Sequence, residues 1–148
     1  MKKSTLIIIL VIYVASIVAI NFFGLSVKVY DKIINVTSVE CINKDEEGVV
    51  VKDKDYGKFI TVNFVGEADK ETLSGTKLQL KWHAYPDNAT NKDVQFIYDK
   101  DNPRFEFFKD ELGRETGLIL IYARTQFIVT IMSCDGTLKK TEVNIYIN

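Results

Sequence analysis

Apolar and polar positions follow two regimes along this chain. From Ser4 to Val27 there are 24 residues without a charge, and Leu6 to Ile20 is apolar except for Ser16. At roughly 1.5 Å per helical residue, about 20 such residues cross the roughly 30 Å hydrocarbon core of a bilayer, so residues 5–25 are expected to form a transmembrane helix. After residue 26 the period becomes two. In Lys77 to Tyr85, Leu78, Leu80, Trp82 and Ala84 share one side while Lys77, Gln79, Lys81 and His83 take the other, which predicts one half-buried strand. The same alternation runs through Phe59 to Val65 (Ile60, Val62, Phe64) and Glu142 to Asn148 (Val143, Ile145, Ile147). It also marks Phe127, Val129 and Ile131, and more briefly Val94, Phe96 and Tyr98. Leu118 to Ala123 is continuously apolar, as expected of a strand buried on both faces.

Turn residues punctuate these runs at Ser74-Gly75, Pro86-Asp87-Asn88, Asp101-Asn102-Pro103, Leu112-Gly113 and Cys134-Asp135-Gly136. Asp135-Gly136 is a hairpin signal, because both residues tolerate positive φ. Roughly seven to nine short strands in about 120 residues point to an all-β, antiparallel sandwich rather than an α/β layer. The expected organisation is a cytoplasmic stub at 1–4, the helix at 5–25, and an extracytoplasmic domain at 26–148.

Composition sharpens this division. Although 47% of residues are hydrophobic, the mean hydropathy is only +0.02 and the net charge is −1, an average over two unlike segments. Without Lys2 and Lys3, 17 basic and 20 acidic residues remain, a balance of −3. Nucleic acid is not an expected partner of such a domain, nor is electrostatic attachment to anionic lipid. The alternative to an anchor is a secretory signal cleaved after Ala19, but Ile17 at the −3 position fits a small-x-small site poorly. Either way residues 28–148 leave the cytoplasm. The signal-like start places the amino terminus inside, giving a single-pass cell-membrane protein.

The stretch Gly75-Thr76-Lys77-Leu78-Gln79-Leu80, followed by Tyr85-Pro86-Asp87-Asn88-Ala89-Thr90-Asn91-Lys92-Asp93-Val94, resembles the bacterial Ig-like domain, group 2. Val36-Thr37-Ser38-Val39 stands near that family's opening strand, and Thr130 to Gly136 near its closing hairpin, so the resemblance spans about 36–147. Phe96 replaces the family's usual Trp, Tyr98-Asp99-Lys100-Asp101 replaces its Ser-Ser-Asp turn, and residues 43–74 form a longer connection, read as an insertion. The resemblance implies an Ig-like β-sandwich at the cell surface, acting as an interaction or structural module.

Candidate chemistry is sparse. His83 is the only histidine and lies on the solvent side of its strand, and no nucleophile elbow or phosphate-binding glycine run is present, so no enzyme is expected. No cofactor is expected either, with structural calcium at Asp99, Asp101 and Asn102 as the alternative. Cys41 and Cys134 could form a disulfide in an exported domain or remain two separate thiols. Phe107 and Phe108 are adjacent, so in a strand one must point outward, and Tyr98, Arg104 and Phe108 form a candidate patch for a partner protein or glycan. A further alternative puts the partner in the membrane, contacted through Ser16 and Asn21.

Overall fold

The computed structural model describes residues 11–14, 32–54 and 57–148. Two compact units are distinguished, residues 1–33 and 34–148. In the first, 11–14 are helical and exposed; the rest of the expected transmembrane helix at 5–25 lies outside the described residues. Among the described residues no helix is long and apolar enough to cross a membrane.

The second unit is all-β. Ten strands are described: β1 (Ser38–Cys41), β2 (Val49–Lys54), β3 (Gly57–Val62), β4 (Lys77–Gln79), β5 (Trp82–Tyr85), β6 (Val94–Ile97), β7 (Phe105–Lys109), β8 (Glu115–Ile121), β9 (Gln126–Ser133) and β10 (Lys140–Ile147). One sheet has the order β2-β3-β10-β9-β6; a second has β4-β8-β7, and β1 pairs with β5. All pairings are antiparallel except β3 with β10, which is parallel.

The period-two pattern accounts for the core. Ile60, Val62, Phe96, Phe127, Val129, Ile131, Val143, Ile145 and Ile147 are the inward positions of the five-stranded sheet, and all are buried. They meet the inward positions of the other strands through aromatic rings. Phe105 stacks on Phe127 at 3.8 Å, Phe107 meets Phe96 at 5.1 Å, and Trp82 meets Phe96 edge-on at 5.2 Å. Such contacts add to the transfer free energy of burying 150–250 Å² of ring, on the order of 1 kcal/mol per pair. Each is a contact between two layers, so the domain is a face-to-face packing of sheets.

One expected strand is two. Lys77 to Tyr85 keeps its alternation, with Leu78, Leu80 and Ala84 buried, but the ladder breaks at Leu80-Lys81. The cause is Asn43, 5% exposed, whose amide donates to the Gln79 carbonyl (2.8 Å) while its oxygen accepts from the Lys81 N–H (2.7 Å). A side chain in the ladder releases the chain from β8, and β5 continues against β1. Pro86, which cannot donate to a ladder, then ends β5.

Burial of β8 on both faces is realised at Ile119, Leu120 and Ile121, each 0% exposed. Ile119 and Ile121 face the core, whereas Leu120 stands in register between Lys77 and Glu106 on the opposite face. Residues 66–75 fold over that face and are fastened at several points. Ala68 N–H donates to the Ile121 carbonyl (2.9 Å), Lys77 Nζ to the Leu73 carbonyl (2.9 Å), and Lys70 Nζ pairs with Glu106 at 2.6 Å. Lys70 holds the Glu106 carboxyl below its ordinary value, with help from the Tyr122 hydroxyl. Buried Thr76 closes the loop by donating to the Gly66 carbonyl (2.6 Å) and accepting from the Val65 and Gly66 N–H groups.

The hairpin announced by Asp135-Gly136 joins β9 to β10, through six residues rather than two. Asp135 explains the length, because its side chain organises the loop from inside. One oxygen accepts from the Thr137 hydroxyl (2.6 Å) and N–H (3.1 Å), and the other from the Val36 N–H (2.6 Å), which ties the start of the domain to this loop. The Thr137 hydroxyl and these N–H groups hold the Asp135 carboxyl well below the usual range. A depressed folded pKa stabilises the fold above the ordinary Asp value of about 3.9, and that contribution is lost as pH falls below it. Thermal midpoints from pH 7 down to 2 should therefore fall less steeply below about pH 4 for Asp135→Asn than for the wild type. Parallel curves would remove Asp135 as a contributor.

Candidate functional site

The residues singled out from sequence are scattered rather than gathered. Asp99 Oδ1 accepts from the Asp101 N–H (3.2 Å) and Asn102 Oδ1 from the Arg104 N–H (3.1 Å), so two of the three oxygen-bearing side chains are engaged in closing the β6–β7 loop. Among the described residues no group of three or more His, Cys, Asp or Glu converges. Cys41 and Cys134 are free thiols rather than a bonded pair. Cys41 is buried on β1, its thiol donating to Asn43 Oδ1 (3.3 Å), and burial raises its pKa; Cys134 is exposed in the β9–β10 loop. The Cys134 thiol is also pushed up, by desolvation and then by Asp93 and Asp135. His83 sits at the surface, Nε2 at 2.6 Å from Asp87 and its ring against Tyr85.

Tyr98, Arg104 and Phe108 separate by environment. Tyr98 turns inward, stacked on Phe107 at 4.2 Å, with its hydroxyl donating to Glu115 Oε1 (2.8 Å). Desolvation and that carboxylate raise its pKa. Arg104 is exposed, and Phe108 is half-buried at a bulge in β7 between Phe107 and Lys109.

A different place offers binding geometry. A cleft of about 590 Å³ lies between β6 and the connection from β7 to β8, with Trp82 and Phe96 as its apolar surface. Trp82 is half-buried and lies across Gly117, where a Cβ would come within 2.7 Å of its ring; the φ of +77° likewise suits glycine there. Consecutive residues 92–96 line the cleft. Since Phe96 faces the core and Gln95 is exposed, both faces of β6 reach it, which places the cleft along the edge of the strand.

That edge is the free one. Among the described residues β6 pairs only with β9, with Gln95 opposite Met132 and Phe96 opposite Ile131. Cys134 N–H donates to the Asp93 carbonyl (2.9 Å), while Ser133 N–H points the other way, to Lys139 of the hairpin (2.8 Å). Antiparallel residues alternate between exchanging bonds with the partner and pointing away from it. Gln95 shares the phase of Asp93, so the backbone groups of Val94 and Phe96 point away from β9.

Two other edges are protected. On β2, the Val51 N–H is taken by Asp45 Oδ1 (2.6 Å) and Val49 bridges to Glu46. β7 carries its bulge. Both are devices that stop a sheet edge from recruiting another strand. In the cleft wall, Asp110 is occupied by Arg114 (2.8 Å) and held below its ordinary pKa by the Arg114 N–H and guanidinium, which closes the tip of the connection. Sequence reading overlooked Trp82, Lys92 and Lys109 as site residues. The visible signal was a strand of only four residues flanked by lysines at 92 and 100.

A scan against protein-family models and searches of curated proteins and of solved structures found no match to this chain.

Proposed function

We propose that this chain is a single-pass, membrane-anchored, non-catalytic Ig-like module that binds a partner protein by accepting an extended segment along β6. Residues 5–25 supply the anchor, with the amino terminus inside and 26–148 outside, a reading that rests on the uncharged run from Ser4 to Val27. The Ig-like reading is supported by the resemblance over 36–147 and by two packed layers of mainly antiparallel strands. One observation carries the binding function. Among the described residues the β6 edge has neither cap nor bulge, and it fronts an open cleft beside Trp82. A strand added there gains main-chain hydrogen bonds from Val94 and Phe96, with specificity from the flanking side chains.

The test is a photocrosslinking residue placed at Gln95 or, for comparison, at Thr61 near the middle of the same sheet, in the full chain expressed in its own cells. A discrete protein adduct from position 95 and none from 61 is the expected result. Equal adducts, none at all, or a glycan adduct would overturn strand capture. The mass of the mature chain separates the anchor from the alternative of a cleaved, secreted domain. Exchanging 5–25 for an unrelated anchor separates both from a partner bound through Ser16 and Asn21, since only that partner would be lost.

A further inference from the structure

Resting on the reading of β6 as a strand-addition site, we infer that the captured segment is acidic, placing carboxylates against Lys92, Lys100 and Lys109. Charge imbalance at the cleft supports this. Of its seven charged side chains, Asp110 and Arg114 satisfy each other and Glu115 accepts the Tyr98 hydroxyl. Lys92, Lys100, Lys109 and Asp93 remain, and Glu115, opposite Lys109 in the β7–β8 register, keeps its charge. None of the three lysines is in an ion pair among the described residues. Lys92 Nζ donates to the Asp87 carbonyl (2.7 Å), which positions the ammonium without neutralising it. Lys100 lies 5.8 Å from the centre of the Tyr98 ring, and Lys109 acts on Glu106 only through space. The cleft therefore leaves three cations to two carboxylates, on a chain whose residues after Lys3 sum to −3.

Placement matters as much as number. Lys92 and Lys100 flank β6 at its two ends, and Lys109 belongs to the facing wall. An added strand rises roughly 3.3 Å per residue, so four or five residues would run the length of β6 with the lysines within reach of their side chains. Lysines at an edge attract an acidic strand and repel a basic one, which gives both selectivity and faster encounter. A glutamate-bearing extended segment satisfies the backbone edge and the cations together.

The experiment uses the full chain in detergent micelles and three eight-residue peptides in which valine alternates with glutamate, serine or lysine. Two readouts are needed. Slowed amide exchange at Val94 and Phe96 reports strand addition whatever the charge, and fluorescence of Trp82, the one tryptophan, gives affinity. The glutamate peptide is expected to slow both amides and to bind about tenfold tighter than the serine peptide at low salt, with the lysine peptide weakest. Raising salt should shrink that ratio, and in Lys100→Glu/Lys109→Glu it should fall to about one or below. Equal protection by the glutamate and serine peptides would overturn the acidic preference while leaving strand addition standing. Protection of neither amide by any peptide would overturn the underlying reading itself. Thermal midpoints of the variant, expected close to wild type for exposed lysines, separate lost charge from lost fold.

Discussion

Phe107→Ala is expected to destabilise the domain by about 3 to 5 kcal/mol, the range for removing a large buried aromatic side chain and leaving its cavity. Phe107 is 1% exposed and stands between Phe96 at 5.1 Å and Tyr98 at 4.2 Å, so its ring connects the two layers of the sandwich. Neither neighbour can fill the space. Phe96 is fixed on β6 and Tyr98 is tethered through its hydroxyl to Glu115. Against a typical stability of about 5 to 15 kcal/mol the loss is large, and the thermal midpoint should fall by roughly 10 °C or more. Because Phe96 also lines the cleft, the same substitution should weaken peptide capture. Phe107→Leu keeps most of the volume and should cost less than half as much, about 2 kcal/mol or under. Phe108→Ala, at a half-buried site on the bulge, should also cost less. Urea unfolding of the three variants decides the matter: equal midpoints for the changes at 107 and 108 would show that Phe107 does not bear the contact between layers.

Gly75→Ala is expected to be nearly as damaging although it removes nothing from the core. At Gly75 φ is +81°, and an added Cβ would lie 2.1 Å from the Glu67 carbonyl oxygen and 2.8 Å from its carbon. Both are backbone atoms, so relief requires moving residues 66–75 off the outer face of β4-β8-β7. That movement would break the hydrogen bonds centred on Thr76 and uncover Leu120, 0% exposed. Left-handed strain of about 1 to 2 kcal/mol plus partial loss of this cover gives about 2 to 4 kcal/mol. Amide exchange locates the effect, with faster exchange expected at Ala68 and Thr76 and little change at Val129 or Ile145 in the five-stranded sheet. Gly113 makes a control. Its φ is +76° but a Cβ there would meet nothing within 4 Å, so Gly113→Ala should show the strain alone. If the two alanine variants unfold at the same midpoint, close approach at Gly75 contributes nothing.

These two positions also mark the boundary of what sequence could show. Adjacent Phe107 and Phe108 announce that one ring points inward, but which one depends on the register of β7 against β8 and on the bulge after Phe107. Gly75 reads as a turn residue, correctly, yet its importance comes from the carbonyl of Glu67, eight positions earlier, pressed against it. The uninterrupted run from Leu118 to Ala123 is legible as a strand covered on both sides. That the second cover is the chain segment 66–75 is not, because the residues holding it (Lys70, Thr76, Glu106) are ordinary polar residues until folding brings them together. The split of Lys77 to Tyr85 has the same origin. It depends on Asn43, more than thirty residues away, which occupies the ladder at Gln79 and Lys81.

Function follows this division. Alternation with period two depends only on side chains that point in turn toward solvent and core, so most of the strands, though not β2, much of the core and the all-β class could be read from the chain itself, as could the 24-residue uncharged run as a candidate anchor. A sheet edge has no such signature. Whether Val94 and Phe96 offer free backbone groups depends on which strand pairs with β6, on the phase of that pairing and on what closes the other edges, all of them long-range choices. Likewise Lys92, Lys100 and Lys109 are unremarkable along the chain and become a cationic cleft only where β6 and the β7–β8 connection bring them together. Local periodicity determined what each segment is; tertiary pairing decided which backbone and which charges remain unpaired, because hydrogen-bond partners and ion pairs are set by neighbours in space.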